Sequence, residues 1–177
     1  ITDANVAAAD LAAVDLGTTG QINAASVTSL TGDASVMSAV YGSAGITGLG
    51  NEAVTLTGTT ATAAELNTIN NGTTATVNMS TIATVTGSLS DALVAYAALG
   101  FSGRGNEAIQ LNDTVAAVAN LNTLDAKTTG IVDASSVGTL TGSAATLATA
   151  YASAGISGLG GAALTLSDVS IAVSSLN

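Results

Sequence analysis

The stretch from Tyr151 to Leu166 reads YASAGISGLGGAALTL, and it stands twice earlier, as YGSAGITGLGNEAVTL from Tyr41 and YAALGFSGRGNEAIQL from Tyr96. The copies are 55 residues apart with no insertion or deletion: Leu11, Leu66, Leu121 and Leu176 share one column, and Ile1, Leu56, Leu111 and Leu166 another. A fixed period of this size marks an architecture in which each repeat buries its apolar face against its neighbours. The chain therefore reads as one segment, 1–177, with repeats at 2–56, 57–111 and 112–166 and a partial repeat at 167–177. It begins in a column assigned to the end of a strand and stops in one assigned to a helix, so it is expected to be a piece of something longer.

Each repeat divides again. Leu30-Thr31-Gly32 returns as Leu56-Thr57-Gly58, Val85-Thr86-Gly87 and Leu140-Thr141-Gly142, with Leu111-Asn112-Asp113 and Leu166-Ser167-Asp168 in the remaining places. The steps alternate between 26 and 29 residues, near the roughly 20 to 29 of a leucine-rich-repeat coil. In the shorter step Asp33, Ser88 or Ser143 is placed to cap a helix. Its inward face is expected at Ala34, Met37, Tyr41 and Ala44, at Leu89, Ala92, Tyr96 and Leu99, and at Ala144, Leu147, Tyr151 and Ala154. Gly45, Gly100 and Gly155 are expected to end it in the left-handed C′ conformation. In the longer step Ala63, Leu66 and Ile69 face inward, Thr62 and Glu65 have capping-box spacing, and Gly17 or Gly72 ends the helix, with Lys127 in the third repeat.

Period-two alternation marks strands at Val54 and Leu56, Ile109 and Leu111, and Leu164 and Leu166. Val27–Leu30, Ile82–Val85 and Val137–Leu140 are read as their partners. Strands joined through helices are parallel, with right-handed crossovers. The fold class is thus α/β: a parallel strand-helix solenoid of leucine-rich-repeat-like coils of 26 and 29 residues, six strand ends stacking over about 29 Å. An all-β solenoid is the alternative, because Ala, Thr and Val serve either state.

The hydrophobic share is 47% but the aromatic share only 2%, which demands a thin core of small side chains. Twelve acidic residues stand against Arg104 and Lys127, a net charge of −10 that speaks against nucleic acid and anionic membrane surfaces as partners. The longest apolar run, Leu93–Phe101, is about half of what a spanning helix needs, so no membrane insertion is expected. Without Cys there are no disulfides or thiolate metal sites.

Acid–base or nucleophilic catalysis asks for a group that titrates near neutrality or for a nucleophile beside a base. The chain has no His or Cys, and its Ser and Thr have no base at a repeated spacing, so no enzyme and no catalytic residue are expected. Glu52 and Glu107 are equivalent, but Ala162 takes the third place, so the repeat does not require the carboxylate. The glycines of Gly45–Gly50 and Gly155–Gly160 lack the Lys and Ser/Thr of a phosphate loop and read as turns. No calcium-loop motif occurs and the acidic residues do not persist in column, so no cofactor is expected, with calcium the one candidate kept open.

One pattern suits a surface. Ser29 and Thr31, Thr55 and Thr57, Thr84 and Thr86, Gln110 and Asn112, Thr139 and Thr141, and Thr165 and Ser167 flank the inward residue of each strand. They are expected outward, as two ranks of hydroxyls on one sheet face. A threonine ladder supports a parallel stack by itself. The binding alternative places Thr55, Thr57, Thr84, Thr86, Thr139, Thr141 and Thr165 on a flat face for ice or carbohydrate, since a Thr-x-Thr array resembles that of ice-binding β-solenoids.

The repeat from Leu121 to Gly160, LNTLDAKTTGIVDASSVGTLTGSAATLATAYASAGISGLG, resembles the long tandem tracts of giant cell-surface proteins of marine unicellular cyanobacteria, over the whole chain. The resemblance implies an extracellular or surface location and a structural, spacer or adhesive role in a long polymer or filament, with the chain itself as the expected partner. It carries over no catalytic residue.

Overall fold

The structure, a computed structural model, describes residues 1–168. The column position of Leu176 and the helix expected at Asn177 lie outside the described residues. The described residues form two compact units, the first of Ile1–Thr84 with Ala97–Arg104, the second of Val85–Tyr96 with the described residues from Gly105 onward.

Six α-helices alternate with short strands among the described residues: α1 (Ala8–Gly17), α2 (Ala34–Gly42), α3 (Ala63–Gly72), α4 (Leu89–Ala97), α5 (Val118–Asp125) and α6 (Ala144–Ala152). Their starts recur at steps of 26 and 29, the steps read from the sequence. Strands and helices together make the fold α/β and leave no support for the all-β alternative. Each helix buries a narrow stripe, Ala34, Met37 and Val40 in α2 and Ala63, Leu66 and Ile69 in α3. Spacing of three along the helix keeps that stripe on one face, and small residues let it lie close to its neighbours.

Capping follows the sequence at three helices and departs at one. Thr62 and Glu65 form a reciprocal capping box, with Glu65 N–H donating to Thr62 Oγ1 at 3.1 Å and Thr62 N–H to Glu65 Oε2 at 2.8 Å. Ser88 and Ser143 accept from Asp91 N and Thr146 N. Asp33 makes no cap bond; its carboxylate accepts from Thr57 Oγ1 instead.

The shorter-step helices stop sooner than expected. They end at Gly42, Ala97 and Ala152, so Ala44, Leu99 and Ala154 lie past them on the surface, Leu99 97% exposed. The inward positions belong to Val40, Ala95 and Ala150. Nor do Gly45, Gly100 and Gly155 adopt positive φ. They are small for another reason: a Cβ there would strike Asp15, Asn70 or Asp125 of the preceding helix. Asp15 and Asp125 each accept from a serine two residues before that glycine, Ser43 and Ser153, at 2.7 Å.

In the first unit β1 (Asn5–Ala7), β3 (Ser29–Gly32), β5 (Ala53–Leu56), β7 (Val77–Asn78) and β9 (Phe101–Ser102) form one parallel sheet in that order. β2 (Ile22–Asn23) pairs with β4 (Ile46–Thr47), and β6 (Thr60–Thr62) leads into α3. In the second unit β8 (Thr84–Gly87), β10 (Ala108–Leu111), β12 (Val132–Asp133) and β14 (Ile156–Ser157) follow one another in one sheet. β11 (Val115–Ala117), β13 (Thr139–Gly142) and β15 (Ala163–Leu166) form another.

The register differs from that implied by the sequence columns. Leu30 stands beside Val54 and Gly32 beside Leu56, an offset of 24 residues, where the columns would put Leu30 beside Leu56. The same offset pairs Leu140 with Leu164 and Gly142 with Leu166. Side-chain hydrogen bonds repeat it, with Ser29 to Asn5, Thr74 to Gly50 and Asn122 to Thr146 all 24 residues apart. The six columned strand ends consequently do not stack in one sheet: β3 adjoins β5, β8 adjoins β10 and β13 adjoins β15, each pair in a different sheet. Helix starts follow the sequence repeat, while ladder partners follow the chain length needed to return to hydrogen-bonding distance; the two lengths are unequal. Ile1, expected at a strand end, lies before β1, with its ammonium donating to Asn23 O.

Candidate functional face

Alternation puts Val6, Leu30, Val54, Val77 and Phe101 on one side of the first unit's sheet and Ala7, Thr31, Thr55, Asn78 and Ser102 on the other, each residue beside the next. Leu30, Val54 and Val77 are buried, whereas Thr31, Thr55 and Ser102 are exposed. Parallel strands bring these polar groups about 4.8 Å apart. In the second unit Ala117, Thr141 and Thr165 make one such row and Gln110, Asp133 and Ser157 another.

Of the expected binding residues, Thr55 lies beside Thr31 and Thr165 beside Thr141. Thr57 follows β5 and donates to Asp33 Oδ1 at 3.1 Å. Thr139 and Thr141 are half-buried in β13, with Thr139 paired to Ala163 and Thr141 donating to Ala116 O. Thr84 and Thr86 are half-buried in β8. Thr86 lines a shallow polar groove of about 330 Å³ with Gln110, Asn112, Asp133, Ser135 and Ser136. The threonines thus fall into short groups, the 24-residue register having separated them into different sheets.

The buried carboxylates were not given a role by sequence reasoning. Glu52 and Glu107 are 0% exposed. Tyr41 O–H donates to Glu52 Oε2 at 3.1 Å, and Gly50 N–H donates to the same carboxylate at 2.7 Å. In the second unit Tyr96 O–H donates to Glu107 at 2.8 Å and Gly105 N–H at 2.9 Å. Thr73 and Thr128 then tie the two glutamate carbonyls to the following loop. Burial, reinforced by the negative charge of Glu52, pushes the Tyr41 phenol well above its ordinary value, so it stays a proton donor. The arrangement is a closed knot: the carboxylate holds a loop shut from a fully buried position. Its signal in the sequence was a Tyr eleven residues before a Glu, with Gly two before the Glu.

The glycine loops are turns, as expected. Gly48, Gly103 and Gly158 have φ of 84°, 72° and 83°, a conformation that L side chains rarely adopt. Among the described residues no group of three or more His, Cys, Asp or Glu is placed to hold a metal ion, and no helix is long and apolar enough to cross a membrane. The chain matches no protein-family profile, no characterised protein and no solved structure.

Proposed function

We propose that this chain is a structural repeat segment of a long secreted or cell-surface protein, a parallel strand-helix solenoid that works as a spacer or as the self-assembling body of a filament or surface layer. The carrying observation is the nearly constant offset. Strand after strand within each unit pairs 23 or 24 residues along, and the same separation recurs in side-chain bonds. A fold held in this way extends by adding steps and needs no closed centre. The buried acids tie loops, a structural use, and catalysis is no part of the reading. The partner is the chain itself or neighbouring repeats, and nucleic acid is not a partner. Negative-stain electron microscopy of the segment in seawater-like buffer, with and without chelator, tests it. Regular fibres support assembly, isolated rods support the spacer, and compact particles of irregular outline would contradict both. Fibres lost on chelation would add calcium as the ion that stiffens them.

A second reading is favoured by the outward row Thr31, Thr55, Asn78 and Ser102 of the first unit: an adhesive face for carbohydrate or ice. Thr55→Lys with Ser102→Lys should abolish glycan retention or thermal hysteresis while leaving the melting temperature within a few degrees. A parent protein without either activity ends this reading.

A further inference from the structure

Two of the residues lining the polar groove of the second unit, Asn112 and Ser136, stand 55 positions after residues of the first unit that are tied to the chain itself. There Thr57 donates to Asp33 Oδ1 at 3.1 Å, and Thr81 donates to the carbonyls of Leu56 at 2.8 Å and Gly58 at 2.9 Å. The second unit breaks up both arrangements. Asn112 replaces Thr57, while Ser88, in the place of Asp33, donates to Asp91 Oδ2 at 2.7 Å. Ser136 replaces Thr81, and Asp113, in the place of Gly58, accepts from Leu89 N–H at 2.6 Å. Gln110 replaces Thr55. The side chains of Gln110, Asn112 and Ser136 make no hydrogen bond among the described residues, and all three are exposed.

The groove, of about 330 Å³, combines these free groups with one fixed acid. Asp133 is half-buried, and its Oδ1 accepts from Ser135 N–H at 2.9 Å, which orients the carboxylate and leaves Oδ2 as an acceptor. Buried Leu111 lines the groove, and Gly87, at a φ of 143°, contributes backbone without a Cβ. Carboxamides both donate and accept, and so does a sugar hydroxyl; adjacent hydroxyls can give to Asp133 Oδ2 while receiving from a Gln110 or Asn112 N–H. Neither Arg104 nor Lys127 lines the groove, so an anion would meet Asp133 with no compensating charge.

We propose that this groove is a binding site for a neutral saccharide, separate from the row on the first unit's sheet. Gln110 and Asn112 donate to the sugar's oxygens, Asp133 Oδ2 accepts from a hydroxyl, and Ser136 serves as either partner. No aromatic ring lines the groove, so the sugar is held by hydrogen bonds without stacking, and each of them weighs heavily in a weak affinity, about millimolar.

Equilibrium dialysis of the full chain against cellobiose, maltose, lactose, glucuronic acid and calcium chloride tests it. The variants Asp133→Asn, Gln110→Thr and Asn112→Thr each introduce the residue that the first unit carries at that place, which keeps folding out of question; Asn78 makes the same turn as Asp133, accepting from Ser80 N–H at 3.0 Å. A neutral disaccharide is expected to bind and glucuronic acid to be excluded. Binding should weaken about tenfold in Asp133→Asn and by as much in Gln110→Thr with Asn112→Thr, and stay unchanged in Thr55→Lys with Ser102→Lys. No retention of any of the three disaccharides would overturn the site. So would full affinity in the groove variants, and if Thr55→Lys with Ser102→Lys then abolished it, the activity would belong to the first unit's row. Calcium retained in place of sugar and lost in Asp133→Asn would make the groove a cation site and overturn the saccharide.

Discussion

The loop after α2 and the loop after α6 are written in nearly the same letters and end differently. After α2, Glu52 gathers Gly50 N–H and the Tyr41 phenol and is fully buried. After α6, Ala162 stands in that place, Leu159–Gly161 winds into a 3-10 turn, and Tyr151 donates to Leu159 O from a half-exposed position. Where the carboxylate is present it binds both the loop and the tyrosine, and where it is absent the tyrosine turns to a backbone carbonyl. A buried acid is tolerable only because donors surround it, and without it the backbone finds its own partners by tightening.

That comparison can be broken most sharply in the second unit. Glu107→Ala should cost about 2 to 4 kcal/mol, because Tyr96 and Gly105 N–H would lose their acceptor in a site 3% exposed at the tyrosine. Urea unfolding measures it, and a loss under about 0.5 kcal/mol would mean that the loop relaxes into the form seen after α6.

Alkaline titration should give a smaller effect. Tyr41 has its folded value raised above the ordinary one near 10, so the unfolded chain releases that proton first. Its contribution is complete below about pH 10 and declines above it. Tyr41→Phe should flatten the alkaline limb of the stability curve, and identical limbs would contradict the raised phenol.

Smallest is the reverse substitution, Ala162→Glu, expected to draw Tyr151 inward and add up to about 1 kcal/mol. Reduced quenching of Tyr151 by iodide, with Tyr41→Phe and Tyr96→Phe removing the other signals, reads it directly.

Helix positions were legible because apolar residues recur with the repeat, as Leu11, Leu66 and Leu121 do, and because Thr62 and Glu65 mark the start of α3. Strand partners were not. A repeated column records where a residue type recurs, whereas a ladder partner depends on how much chain a full circuit consumes. Thus Leu56 meets Gly32 and not Leu30. Leu99 was read inward by helical spacing, but the helix stops at Ala97 and spacing has no meaning beyond it. The outward threonines were legible as alternation within a strand. Their distribution over separate sheets was hidden with the register. Glu52 and Glu107 looked dispensable because Ala162 interrupts the column, and only the positions of Tyr41 and Tyr96 reveal what the acid holds.

The register is therefore the claim to test first, by paired cysteines in otherwise cysteine-free chain. Thr31→Cys with Thr55→Cys places the thiols on directly paired residues of adjacent strands, and Thr31→Cys with Thr57→Cys places them two residues out of step. The 24-residue offset predicts rapid disulfide formation in the first pair and little in the second. Faster closure of the Thr31 and Thr57 pair would show that the sequence columns set the ladder after all.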